Sequence, residues 1–351
     1  MRNGHMRSGR RALLIIAASA VVVAAVVVGL TTGLPGGGGT GTDPDRTPDV
    51  AAPPPPAEIF PGGLYTDTTT DAAQATARLE AEGDSENADL IRQISSQPTA
   101  LWLGDWFPVA EITTLLAKHV AAAEASGTTL VVVTYAVPFR DCGGLSGGGL
   151  SEEEYLVWNR AVADALTGTD AAVLVEPDSL AMINNERCEG EEERRLRSIN
   201  GAVDILSAAG LPLYLDAGNN NWVQPEVMAD LLERAGIDKA RGFFTNVSNF
   251  YRLEDELPYT EELSELLGGA NYVIDVSRNG TGWQGHWCNP WNAAIGEAPR
   301  VAEGDTALDA LLWVKHPGQS DGTCNGGPPA GKWWESYAVD LVLNRAEELA
   351  K

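Results

Sequence analysis

The feature that most constrains this chain is a rhythm that runs from residue 100 to residue 314. Seven short apolar runs alternate with helix-like stretches, at residues 100–103, 131–133, 171–175, 213–215, 242–245, 272–274 and 310–314. Alternation of this kind argues for an α/β fold, a parallel sheet with right-handed crossovers, either open or closed into a barrel. The runs lead to polar residues: Asp105, Asp141, Asp178, Asp216, Asn246, Asp275, and Lys315 with Asp321. One Asp after a strand is ordinarily a turn former or a helix cap. A whole set of them, gathered on one rim of a closed barrel, makes an acidic cleft.

The best-defined unit lies between residues 131 and 180. One strand runs into Tyr135 and the Phe139-Arg140-Asp141-Cys142 turn, and the next into Glu176-Pro177-Asp178. Between them Ser151 precedes three glutamates, which marks an N-cap with acids in the first helical turn and a helix through Ala165. The remaining helices are expected at 71–96 (broken near Gly83-Asp84), 109–125, 191–209, 225–235, 256–267 and 332–349.

The N-terminus is of another kind. Residues 1–11 are basic and residues 12–30 carry no charge, a run long enough to cross a bilayer core at about 1.5 Å per residue. Residues 1–33 are therefore read as a signal anchor or a cleaved signal peptide. Residues 34–57, rich in Gly and Pro, form a tether, and residues 58–351 form a single domain. Both readings of the leader place that domain outside the cell.

Charge and cysteine usage narrow the function. The net charge of -25 disfavours nucleic acid and anionic membrane as partners and favours a neutral substrate. Four cysteines at 142, 188, 288 and 324 contain no Cys-x-x-Cys pair, and in an exported chain they predict two disulfides. Three pairings are possible, with sequence neighbours the simplest. The glycine-rich stretch at 143–149 has no following lysine and precedes three glutamates, which argues against phosphate binding and for a flap or flexible loop. The four histidines show no ligand spacing and no Gly-x-Ser-x-Gly elbow occurs, so neither a metal, another cofactor nor a serine triad is expected.

Carboxylates and aromatics remain. Ten tryptophans are present, and Trp102, Trp106, Trp222, Trp283, Trp287, Trp291 and Trp313 lie beside strand ends. Sugar rings stack their C–H faces on aromatic rings while polar side chains bond their hydroxyls. An acidic, tryptophan-flanked cleft on an exported chain points to glycoside hydrolysis by paired carboxylates.

The motifs LWLGDW (101–106), TYAVPFRDCGG (134–144), VLVEPDSLAMI (173–183) and LYLDAGNNNW (213–222) resemble those of glycoside hydrolase family 6, a family of endo-β-1,4-glucanases and cellobiohydrolases. TNVSNF (245–250), YVIDVSRNGTG (272–282), WCNP (287–290) and WVKHPGQSDGTC (313–324) continue the resemblance in family order.

The resemblance implies a distorted seven-stranded parallel β/α barrel and hydrolysis with inversion. It assigns the general acid to Asp178, a partner aspartate on the water network to Asp141, and the disputed general base to Asp321. Asp216 matches a substrate-binding aspartate and Tyr135 a tyrosine under the distorted sugar. Ser146 lies in the loop that holds the attacking water. Trp102, Trp222, Trp287 and Lys315 match sugar-binding positions, and Asn246 and Gln319 complete the substrate-binding set. The family pattern favours the cysteine pairs 142–188 and 288–324.

Cellobiohydrolases of the family roof the cleft with long loops, so the resemblance, with the short segment from Trp287 to Lys315, implies an open cleft and endo action on a β-1,4-glucan; a monomer is expected. A cellobiohydrolase and a surface glucan-binding protein are the alternatives. Two positions depart from the family: Asn219 stands where it usually has His, and Gln319 where it usually has Glu. Either change is expected to alter substrate preference, pH optimum or rate.

Overall fold

The computed structural model describes residues 58–350. The expected leader at 1–33 and the tether at 34–57 lie outside the described residues. The domain opens with α1 (Asp71–Glu82) and α2 (Ser85–Ser95) and closes with α8 (Glu335–Leu349). Between them run β1 (Leu101–Gly104), α3 (Val109–Ser126), β2 (Val131–Tyr135), α4 (Glu152–Leu166), β3 (Ala172–Val175), α5 (Glu192–Ala208) and β4 (Leu213–Asp216). Then follow α6 (Pro225–Ala235), β5 (Gly242–Thr245), α7 (Leu253–Leu266), β6 (Asn271–Asp275), β7 (Arg300–Val301) and β8 (Leu308–Leu312).

Local chemistry sets these boundaries. Gly83 ends α1 in the left-handed conformation, φ 82°, and Asp84 caps α2 by accepting from the Asn87 N–H. Ser151 and Glu154 form a reciprocal capping box at the start of α4. Pro225 sits at the first position of α6, where its missing N–H costs nothing.

Among the described residues the sheet has eight strands in the order β1-β2-β3-β4-β5-β6-β8-β7. Neighbours from β1 through β8 are parallel, and β7 lies antiparallel on β8. The seven expected strands are present. The eighth, two residues long, has no periodicity to read. The sheet curls into an incomplete barrel. Its seam is crossed by the Ala100 N–H donating to Trp313 O (3.1 Å) and the Trp102 indole N–H donating to Val314 O (2.8 Å).

Side-chain alternation separates two cores. Val131, Val133, Leu174, Tyr214, Phe244, Val273, Ala310 and Leu312 fill the inside of the curled sheet. Val132, Val173, Val175, Leu213, Leu215, Phe243 and Ile274 face the helices. Period-two alternation on strands buried on both faces fills the lower barrel with apolar side chains and leaves the C-terminal rim for chemistry. Disulfides join Cys142 to Cys188 and Cys288 to Cys324, bracing two loops of that rim.

Candidate active site

Beyond β3 the chain turns through Glu176 and Asp178 at φ 55° and 67°, and beyond β2 through Asp141 at 54°. Side chains in this left-handed region cost on the order of 1–2 kcal/mol each, so packing and hydrogen bonds must hold them there. Glu176 is fully buried, and its carboxylate accepts from the N–H groups of Ala136 (2.9 Å) and Val137 (3.0 Å), tying the end of β3 to the end of β2. Asp216, also buried, accepts from Leu180 N (3.1 Å), Ala181 N (3.2 Å) and Gly218 N (3.1 Å). From α5, Arg195 donates to Ser179 O (3.1 Å) and Phe139 O (3.0 Å).

Asp178 emerges between these clamps with its side chain partly open to solvent. Dense surroundings raise its pKa well above the carboxylate range, and the charges of Asp216, Asp141 and Asp321 push the same way against Lys315. That direction favours the protonated form. Burial likewise pushes Asp216 up, to about 6, although backbone N–H groups pull it back. The expected quartet of aspartates does converge: Asp141, Asp216 and Asp321 all act on Asp178.

Asp141 is held differently. Its Oδ2 accepts from the Ser146 N–H (2.9 Å) and from the Ser146 hydroxyl (3.0 Å), and that hydroxyl accepts from the Tyr135 O–H (2.9 Å). A relay Tyr135–Ser146–Asp141 thus runs along the rim. Gly144 makes room for it, since a Cβ there would lie 2.3 Å from Asp141 Oδ2. Burial raises the Tyr135 pKa, and Asp178 would raise it further whenever it is ionised, so the phenol stays protonated.

Beneath the relay, Arg140 lies 4.3 Å over the Tyr135 ring and donates to Tyr135 O (2.6 Å), Ser146 O (2.9 Å) and Asp105 Oδ1 (2.8 Å). Asp105 also accepts from Gly149 N (2.8 Å). Burial pushes Asp105 up, but the Arg140 bond and the Gly149 N–H outweigh it and leave the pKa lowered.

Asp321 is locked in a buried cationic setting. Its Oδ2 accepts from Arg278 (2.9 Å) and from Asn289 N (3.0 Å), and its Oδ1 lies 3.3 Å from Lys315 Nζ. Burial opposes its charge, yet Arg278 and then Lys315 hold its pKa below the ordinary value. Asp275 fixes the same corner by accepting from Lys315 N (3.0 Å), Ser277 N (2.9 Å) and Ser248 N (3.3 Å).

The other expected residues divide. Trp102 meets Tyr135 edge-on, with ring centroids 5.0 Å apart, and Trp222 packs against the Cys142–Cys188 disulfide. Trp287 stands 49% exposed next to Cys288. Asn246, by contrast, has no exposed surface. Its amide donates to Tyr251 O (3.0 Å) and Asp275 O (2.9 Å), so it joins loops and does not face the cleft. Gln319 is turned to α1, donating to Asp71 Oδ2 (3.2 Å). Asn219 is buried, with its Oδ1 accepting from Asn221 N (3.1 Å).

Sequence reading gave no role to Glu176, Arg140, Arg278 or Asn289. Arg140 could have been flagged by its place beside Asp141. Nothing local marks Arg278 as a buried arginine.

Against known proteins, residues 62–345 match the family described as Glycosyl hydrolases family 6. The chain is 40% identical over 282 residues to Endoglucanase A of Cellulomonas fimi, which covers 80% of this chain and 61% of that protein. To Endoglucanase 1 of Streptomyces sp. (strain KSM-9) it is 37% identical, covering 76% of this chain and 75% of the other. Among solved structures it is similar to the endoglucanase Cel6 from Mycobacterium tuberculosis in complex with methyl-cellobiosyl-4-deoxy-4-thio-β-D-cellobioside. That match has a TM-score of 0.74 and 37% identity, over 81% of this chain and 97% of that one. The chain belongs to glycosyl hydrolase family 6.

Proposed function

We propose that this protein is an extracellular, inverting endo-β-1,4-glucanase. The observation that carries the reading is Asp178, a carboxyl whose pKa is raised by burial and by three neighbouring aspartates, partly open to solvent on a rim flanked by tryptophans. A proton donor is what a glycosidic oxygen needs as its bond breaks. Relatives named endoglucanases, and a similar structure bound to a thio-linked cello-oligosaccharide, fit a β-1,4-glucan as substrate.

In this reading Asp178 protonates the leaving oxygen while water attacks the opposite face of the ring. Asp141 stabilises the protonated form of Asp178 and, through Ser146, takes up the proton released by that water. Asp321, already engaged by Arg278, Asn289 and Lys315, sets the field of the site and is poorly placed to accept the proton itself. Tyr135 and Trp102 present the aromatic floor for one sugar, and Trp222 and Trp287 receive others.

Endo action follows from the open rim. Trp106 lies 6.5 Å from the Tyr135 ring and is 54% exposed, so that end of the cleft is open among the described residues. Two disulfides suit an oxidising compartment, to which residues 1–33 would deliver or tether the domain.

The test is release of reducing ends and loss of viscosity on a soluble β-1,4-glucan, with the full chain beside Asp178→Ala. Rapid thinning by the wild type and its near-abolition in the variant support the reading. Cellobiose as the sole product would assign a cellobiohydrolase instead, and an equally active variant would refute the choice of acid.

A further inference from the structure

Tyr251, in the loop after β5, and Trp283, in the loop after β6, stack with ring centroids 5.2 Å apart and planes at 8°. Although Tyr251 covers one face, Trp283 remains 39% exposed. The pair is held from several sides. Asn221, in the loop after β4, donates to the Tyr251 hydroxyl (2.9 Å). Tyr251 O accepts from the amides of Asn246 (3.0 Å) and Asn279 (3.1 Å). Arg252 donates to Thr281 O (3.1 Å), and Gly282 sits so close that a Cβ would lie 3.0 Å from Arg252 Nε.

An indole fixed this firmly yet left open to water contributes little to the core. Stacked on a hydrogen-bonded tyrosine, it offers a flat apolar face at a reduced cost of ordering when a ligand arrives. Contacts also trace a path to it from the reacting centre. Asp141 precedes Cys142, whose disulfide packs on Trp222; Asn221, the residue before Trp222, donates to the Tyr251 hydroxyl.

We propose that the Tyr251–Trp283 pair is an outlying glucosyl-binding platform, taking a sugar of the same glucan chain beyond Trp222. The exposed face of Trp283 stacks the ring, and Asn221 holds the Tyr251 hydroxyl behind it. This rests on the glucanase reading and specifies how far along the chain the enzyme grips.

The test compares kcat/KM on a long soluble β-1,4-glucan and on cellotetraose, using the full chain and its Trp283→Ala and Trp283→Phe variants. The alanine variant should lose about 2- to 10-fold on the polymer through KM, keep its rate on cellotetraose, and be partly rescued by phenylalanine. Equal loss on both substrates, or no loss on either, overturns the platform. If the wild type cleaves neither substrate, the glucanase reading fails by itself. The platform is then judged by tryptophan-fluorescence titration with cellohexaose: weaker binding by Trp283→Ala supports it, and an unchanged Kd overturns it.

Discussion

Arg278 Nη1 lies 2.9 Å from Asp321 Oδ2 in a pair where the arginine has no exposed surface. Lys315, partly buried, completes a triad at 3.3 Å. Removing the anion strands two cations in a poorly solvated setting, which typically costs about 3–5 kcal/mol. Asp321→Asn is therefore expected to unfold at markedly lower temperature as well as to lose activity. Thermal denaturation measures this, and a variant that melts with the wild type would show the triad to be unimportant for stability.

Asp178 is expected to matter in proportion to how badly the leaving group needs its proton. Asp178→Asn should lower kcat on a glucan by about 10²–10⁴-fold. On an aryl cellobioside with a strongly acidic phenol the loss should be far smaller, because that phenolate departs unprotonated. Parallel loss on both substrates would argue that Asp178 orients the substrate without donating a proton.

Asp216 should tune that acid electrostatically. Its charge raises the Asp178 pKa, so neutralising it lowers that pKa and deprotonates the acid sooner as pH rises. The alkaline limb of the kcat/KM profile should move to lower pH in Asp216→Asn, which keeps one acceptor oxygen for the backbone N–H groups. A limb that stays in place, or moves up, would contradict the coupling.

What the sequence made legible was whatever local pattern controls. Short apolar runs alternating with helix patterns gave the seven parallel strands, Ser151 and the glutamates after it gave the helix start, and polar residues at strand ends gave the rim. The family resemblance added the cysteine pairing. Long-range placement was not legible. Two residues such as Arg300 and Val301 form a strand only because β8 offers an open edge there. The direction of a strand-end side chain depends on turn conformation, so Asn246, at φ 66°, points into its own loops and not into the cleft. Gln319 meets Asp71, 248 positions away along the chain. Arg278 earns its role only from the fold that buries it.

Glu256 offers a test of how burial links this site to pH. It lies fully buried in α7, beneath the loop that carries Asn219 and Trp222, and one carboxylate oxygen accepts from Asn220 N (3.0 Å). Burial, only partly offset by that bond, raises its pKa from 4.5 to about 7. The folded protein then holds a proton that the unfolded chain releases at lower pH. Its stabilising effect is complete below about pH 4.5 and is lost as pH climbs through 7, a difference of ~3 kcal/mol at most. Asp216, raised to about 6, works in the same direction at lower pH. Glu256→Gln keeps an acceptor for Asn220 N and has no charge to bury. The variant should therefore match the wild type near pH 5, melt at higher temperature at pH 8, and show a flatter dependence between. A wild type whose melting temperature is level or rising from pH 5 to 8, together with a variant no more stable at pH 8, would mean that Glu256 is ionised in the folded protein at little cost.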